Sequence, residues 1–151
     1  MKSLKHYILL ALIPLMVIVV GCKKDHDDEI SIMDRQLTKL NSAWKSSGVI
    51  LDGIAKDGYD NFVLTTSGDQ GSKTINFTTE GRPGLSPWPS AGTFTFDESA
   101  PLTGLIRDDD VLVSYEVSET TLTLKFDYDI AGFQGRVNAV KGQWEFRFAK
   151  P

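Results

Sequence analysis

The stretch VLVSYEVSETTLTLKFDY, Val111–Tyr128, decides the architecture. Val111, Val113, Tyr115 and Val117 share one face of an extended chain, and Leu122, Leu124, Phe126 and Tyr128 share one face of the next. Ser118-Glu119-Thr120 lies between them, three polar residues suited to a turn. Successive side chains of a strand point to opposite faces, so this beat describes antiparallel strands with one dry face and one wet one.

The pattern continues outward in both directions. Phe62-Val63-Leu64, Ile75-Asn76-Phe77 and Gly92-Thr93-Phe94-Thr95-Phe96 alternate upstream. Downstream, Trp144, Phe146 and Phe148 oppose Gln143, Glu145 and Arg147. Turn signals fall between the runs, at Asp52-Gly53, Lys56-Asp57-Gly58, Ser67–Gly71, Asp108-Asp109-Asp110 and Ala131-Gly132. About eight strands at spacings of roughly 8–12 residues predict an all-β sandwich or barrel. Closure into a barrel would remove the exposed edges that endanger an all-β chain. Ahead of the strands, Met33, Leu37 and Leu40 recur at helical spacing, Ser31 can cap and Asn41 can end the turn. This predicts a short amphipathic helix over 31–41 that covers one edge or mouth of the sheet.

The chain has 151 residues, 41% hydrophobic and 24% charged, as expected of one folded domain. Its large compositional break lies at the start. Lys2 and Lys5 precede Tyr7–Val20, an apolar run interrupted by Pro14. A membrane span needs about 20 apolar residues, whereas a basic head, a shorter apolar run and a small residue describe an export signal. Val19-Val20-Gly21-Cys22 resembles a bacterial lipobox, where a signal peptide is cut before a cysteine. Small Gly21 admits the peptidase, and the Cys22 thiol is the nucleophile that accepts a diacylglyceryl group. The competing reading is a secretory peptide cut elsewhere, with Cys22 incidental.

Cleavage before Cys22 leaves residues 22–151, 130 in all. Losing Lys2 and Lys5 from 16 basic side chains leaves 14 against 20 acidic ones, a formal charge of −6. That balance excludes an electrostatic nucleic-acid footprint. Attachment to a membrane would come from acyl chains, of which two or more hold stably. Cys22 is the sole cysteine, so the domain stands on its hydrophobic core without disulfides. Lys23-Lys24-Asp25-His26-Asp27-Asp28-Glu29 reads as a solvated tether. Its lysine-then-acidic order looks like the lipoprotein export signal of Bacteroidota-type bacteria, which implies the outer face of the outer membrane; the periplasmic face is the alternative. The expected organisation is a signal peptide over 1–21, a lipidated cysteine and tether over 22–32, and one folded domain over 33–151.

Leu40-Asn41-Ser42-Ala43-Trp44 opening the first strand, Arg82–Phe96, Val117–Leu124 and the terminal Gly142-Gln-Trp-Glu-Phe-Arg-Phe together resemble lipocalin-like lipoproteins of Bacteroidota-type bacteria. The resemblance covers about residues 33–150 and implies an antiparallel up-and-down barrel behind a short N-terminal helix. In lipocalins a Gly-x-Trp packs its indole under an arginine of the last strand. Ser42 stands where that glycine would fall, but Trp44 and Arg147 are placed for a cation–π contact closing one barrel end. The alternative makes Trp44 a core residue and Arg147 a solvated one.

Catalytic chemistry has little to work with. His6 leaves with the signal and His26 lies in the tether, so no Ser-His-Asp or Cys-His set and no His/Cys zinc site can be built in the domain. Asp108-Asp109-Asp110 and Asp127-Tyr128-Asp129 could line a calcium site or supply an acid/base pair, yet aspartates at turns are ordinarily solvated. Asn76-Phe77-Thr78 matches a glycosylation sequon that a bacterial lipoprotein has no use for. Ser86-Pro87-Trp88-Pro89 is the best recognition loop: two prolines hold a tryptophan that could stack on a sugar or grip a partner, or else plug the barrel.

These readings converge on a monomeric, non-enzymatic, lipid-anchored binding domain without cofactor or metal, apart from the covalent lipid on Cys22. Its barrel would hold a small apolar or amphipathic ligand lined by Tyr115, Phe126 and Tyr128. The rival is a solid barrel that binds a glycan or an envelope protein through Trp88 and its neighbours.

Overall fold

The computed structural model describes residues 27–129 and 140–151. The expected cut and anchor at Gly21 and Cys22, and the Ala131-Gly132 turn, lie outside the described residues. Helix α1 (Asp27–Leu40) leads into β1 (Ser42–Leu51), β2 (Ile54–Ala55), β3 (Val63–Ser67), β4 (Thr74–Glu80), β5 (Ala91–Phe96), β6 (Gly104–Arg107), β7 (Leu112–Val117), β8 (Thr121–Tyr128) and β9 (Gly142–Ala149). Every neighbouring pair is antiparallel, and β1 also pairs with β9, from Lys45↔Ala149 to Leu51↔Trp144. The sheet is thus a closed up-and-down barrel of eight strands, with β2 as a short extra strand on the far half of β1. No helix among the described residues is long and apolar enough to cross a membrane.

Alternation becomes burial directly. β4 runs exposed–buried through Thr74–Glu80, and β8 buries Leu122, Leu124 and Phe126. The inward residues are unusually large. Trp44, Trp88, Trp144, Phe62, Phe77, Phe94, Phe96, Phe146 and Phe148 are each at most 2% exposed. Phe146 is their hub, with ring centroids of Tyr59, Trp144, Trp88, Phe62 and Phe126 between 5.3 and 5.8 Å away. An eight-stranded barrel has an interior just wide enough for side chains or one small ligand. Here side chains take it.

Strand direction gives the barrel two unlike ends. At the helix end, α1 lies across the mouth and buries Leu37 and Leu40. The Leu40 carbonyl accepts from Trp44 Nε1 at 2.8 Å and from the Thr66 hydroxyl. Asn41 and Gly68 exchange two hydrogen bonds, both 2.8 Å, while Gly71 N–H donates to Asp34. A Cβ on Gly68 would meet Leu37 Cδ1 at 2.8 Å, so glycine is what lets the helix seat. The opposite, loop end carries the 52–62, 81–90 and 108–111 connections.

The helix starts at Asp27 rather than at Ser31, and so takes in part of the expected tether. An Asp-Asp-Glu sequence suits a helix's first turn, where negative charge opposes the macrodipole. The Trp44–Arg147 contact is not formed. Arg147 faces outward, its side chain 56% exposed and its Nε bonded to Glu145 at 2.6 Å. Period two puts Arg147 on the face opposite Phe146 and Phe148, away from the indole. Lys150 instead stands 5.1 Å over the Trp44 ring.

Because Phe146 sits at the centre of the ring cluster, Phe146→Ala should cost about 3–5 kcal/mol in urea unfolding with little change in slope. Arg147→Ala should stay within about 0.5 kcal/mol of the parent, since it removes only an exposed pair.

Candidate functional site

The loop end is built around one charge. β6 alternates so that Leu105 and Arg107 both point inward, and Arg107 pairs with Phe94 across the sheet. Arg107 is 1% exposed. Its chain turns back at once: Asp110 N–H donates to the Arg107 carbonyl at 2.9 Å, Arg107 N–H donates to Val111, and Asp110 takes φ 64°. This turn delivers the Asp109 carboxylate to the guanidinium. Nε and Nη2 donate to its two oxygens at 2.7 Å each. A bidentate fork is the strongest form of this pair, and one a buried arginine needs.

Three rings enclose the same cation. Arg107 Cζ lies 5.2 Å from the Phe126 centroid, 5.4 Å from Trp88 and 5.6 Å from Tyr128. Trp88 arrives from the 81–90 connection. Ser86 Oγ accepts from Trp88 N–H at 3.3 Å, and Thr79 pins the far side by its hydroxyl to Pro89 O at 2.7 Å and its N–H to Ser90 O at 2.8 Å. The indole then enters the barrel edge-to-face with Phe77, Phe94, Phe126 and Phe146. A Cβ on Gly92 would approach Phe77 to 2.7 Å, so this glycine makes room for one ring of the cluster.

Electrostatics follow from burial. Desolvation is the largest influence on Asp109 and pushes its carboxyl up, but the hydrogen bonds and charge of Arg107, with backbone donors, together hold it below the ordinary value. Burial raises the Tyr128 hydroxyl, with Arg107 opposing and Asp109 adding. Among the described residues, two buried donors in this cluster have no hydrogen-bond partner: Trp88 Nε1 and Arg107 Nη1. The other two indoles are satisfied, Trp44 by Leu40 O and Trp144 by Val140 O, both at 2.8 Å.

The residues singled out as ligand-lining divide between the two ends. Trp88, Phe126 and Tyr128 meet around Arg107, whereas Tyr115 stands at the helix end and donates its hydroxyl to Pro101 O at 2.6 Å. Trp88 is 1% exposed and offers no face to a sugar. Among the described residues, two hollows lie open along the barrel wall. One of about 550 Å³ is lined by Gln36, Leu102, Tyr115 and Lys125, and one of about 530 Å³ by Ile50, Gly53, Leu112 and Trp144.

The aspartate triplet is used by the turn itself. Asp108 accepts from Thr93 N–H at 3.1 Å, Asp109 takes Arg107, and Asp110 forms the bend. Asp129 pairs with Lys141 at 2.8 Å. No three His, Cys, Asp or Glu side chains among the described residues are grouped to hold a metal. Sequence reasoning passed over Arg107, although Leu105-Ile106-Arg107 already puts a cation on an apolar face with an acid two residues later.

Comparison with family models, curated proteins and solved structures returns no match to this chain.

Asp109→Ala should destabilise the fold by about 3–5 kcal/mol, because it leaves a buried cation uncompensated, while an Arg107→Met/Asp109→Leu pair should cost far less. The lowered Asp109 value means its contribution is complete above the unfolded carboxyl range and is lost as pH falls through the folded value. Acid unfolding followed by circular dichroism should therefore show Asp109→Asn losing less stability than the parent between neutral pH and roughly pH 3.

Proposed function

We propose that this protein is a lipid-anchored, non-enzymatic interaction module of the bacterial outer membrane, held at Cys22, with the loop end of a solid barrel turned toward an envelope partner. The observation that carries the reading is the placement of apolar surface. Of the four exposed large hydrophobic side chains among the described residues, Ile54, Leu85 and Leu112 stand at the loop end. They are 73%, 53% and 66% exposed, whereas the mouth at the other end is covered by α1. Exposed apolar side chains gathered at one end of a barrel suit a protein contact, and none of these is an aromatic of the kind that stacks on sugars.

The anchor would suit this orientation. α1 lies across the helix end and begins five residues after Cys22, a tether of at most roughly 18 Å. The helix end then faces the bilayer and the loop end faces away. The lysine-then-acidic order after Cys22 supports the cell-surface leaflet. A ligand held in a central hollow has less support, since the volume is filled by rings. A glycan stacked on Trp88 has less still.

Cys22→Ser should abolish palmitate labelling in the native host and release the protein from the membrane fraction. For the contact face, photoreactive residues placed at Leu85, Ile54 or Leu112 of the full-length chain should cross-link one envelope protein in cells, and the same probe at Leu102 should not. Cross-linking from Leu102 alone would reverse the assignment.

A further inference from the structure

We infer that one side of α1 and the adjoining barrel wall form a trough that binds a free anionic amphiphile with a single hydrocarbon chain, a long-chain carboxylate. The trough lies at the helix end, and the inference goes beyond the loop-end contact without depending on it.

Helical spacing sorts α1 into two faces. Met33, Leu37 and Leu40 pack on the core, whereas Ile32, Arg35, Gln36 and Lys39, three or four residues apart, share a second face. That second face lines a hollow of about 460 Å³ together with Leu102 of the 97–103 connection and Glu119 of the β7–β8 turn. Gln36 and Leu102 also line the hollow of about 550 Å³, which continues over β7 and β8 past Val117 and Thr123 to Lys125. The two hollows meet at these shared residues and make one trough, each part of a size that admits a small molecule. Leu102 stands at the junction, 53% exposed, with half-buried Ile32 in one part and half-buried Val117 in the other. Together they supply one apolar strip on a surface that is otherwise polar.

Charge decides which end of a guest goes where. The chain carries a formal −4, yet the α1 part of the trough has two cations, Arg35 and Lys39, against one acid, Glu119. Lys39 is half-buried and forms no ion pair among the described residues. In the other part Lys125 is already held by Glu145 at 3.1 Å, and Glu116 lines the same stretch, so no spare positive charge is offered there. An anionic head therefore belongs beside Lys39, with its hydrocarbon running past Leu102 toward Val117. A neutral amphiphile would leave the Lys39 charge unanswered, and a short anion would leave the apolar strip in water. A single chain is what a single strip can cover.

The test uses the full-length chain in membranes of its native host, labelled by light with a diazirine analogue of dodecanoate and mapped by mass spectrometry. Adducts should fall on α1 and on the 97–103 and 112–125 segments, and unlabelled dodecanoate should displace them. The matching analogue of dodecan-1-ol should label these segments about threefold less or weaker still, and butanoate should not compete. Lys39→Gln should lower labelling by about threefold, the size expected of one partly exposed charge pair, while Lys39→Arg should keep it. Leu102→Ser should lower it with the charges intact. None of these side chains belongs to the core, so circular dichroism should show each variant folded. The inference is overturned if the alcohol labels as strongly as the carboxylate, which would mark simple contact with the bilayer. It is overturned equally if dodecanoate does not compete, or if the adducts gather at the loop end. Cross-linking of an envelope protein from Leu85, Ile54 or Leu112 is a separate readout, and its loss would leave the trough standing.

Discussion

Pairing of the first strand with the last governs the rest of the molecule. Once β1 and β9 run together from Lys45↔Ala149 to Leu51↔Trp144, the sheet has a fixed inner volume and two mouths. Everything inward must fit that volume, because close packing tolerates neither voids nor crowding. Large rings fill it from all sides, and Tyr59 and Trp88 are drawn in from connections rather than strands. Closure also leaves the two ends as the places where the chain can differ. One is sealed by α1 through the Leu40 carbonyl and the Asn41–Gly68 exchange. The other receives a buried arginine.

That arginine is an expense in a small domain, whose net stability is only several kcal/mol. Apolar replacements of a buried ion pair are often as stable or more so. Here the pair is made locally, from two residues in one turn, so little chain entropy is lost in forming it. Its surroundings are less complete. Two donors remain unpaired at the one end that also bears exposed Ile54, Leu85 and Leu112. Incomplete satisfaction and exposed apolar surface are ordinarily avoided, and both fall at the loop end.

Much of the barrel was legible because alternation survives folding. The runs ending at Phe96, Val117, Tyr128 and Phe148 became β5, β7, β8 and β9 with the expected faces inward. β6 was missed, since four residues are too few for a period to declare itself, and with it went Arg107. Trp88 was recognised as unusual, but a proline-held tryptophan reads the same whether it turns outward or in. Only the ring positions of Phe77, Phe94, Phe126 and Phe146 decided that it turns in.

The sequence by itself determined the class of fold, the strand faces and the helix at the entrance. These depend on local periodicity and composition, which need no knowledge of partners. Tertiary structure alone decided which aromatics share the interior, that Lys150 rather than Arg147 stands over Trp44, and that Asp109 serves Arg107. Such outcomes depend on register and closure, which bring residues together across dozens of positions and which no single segment encodes.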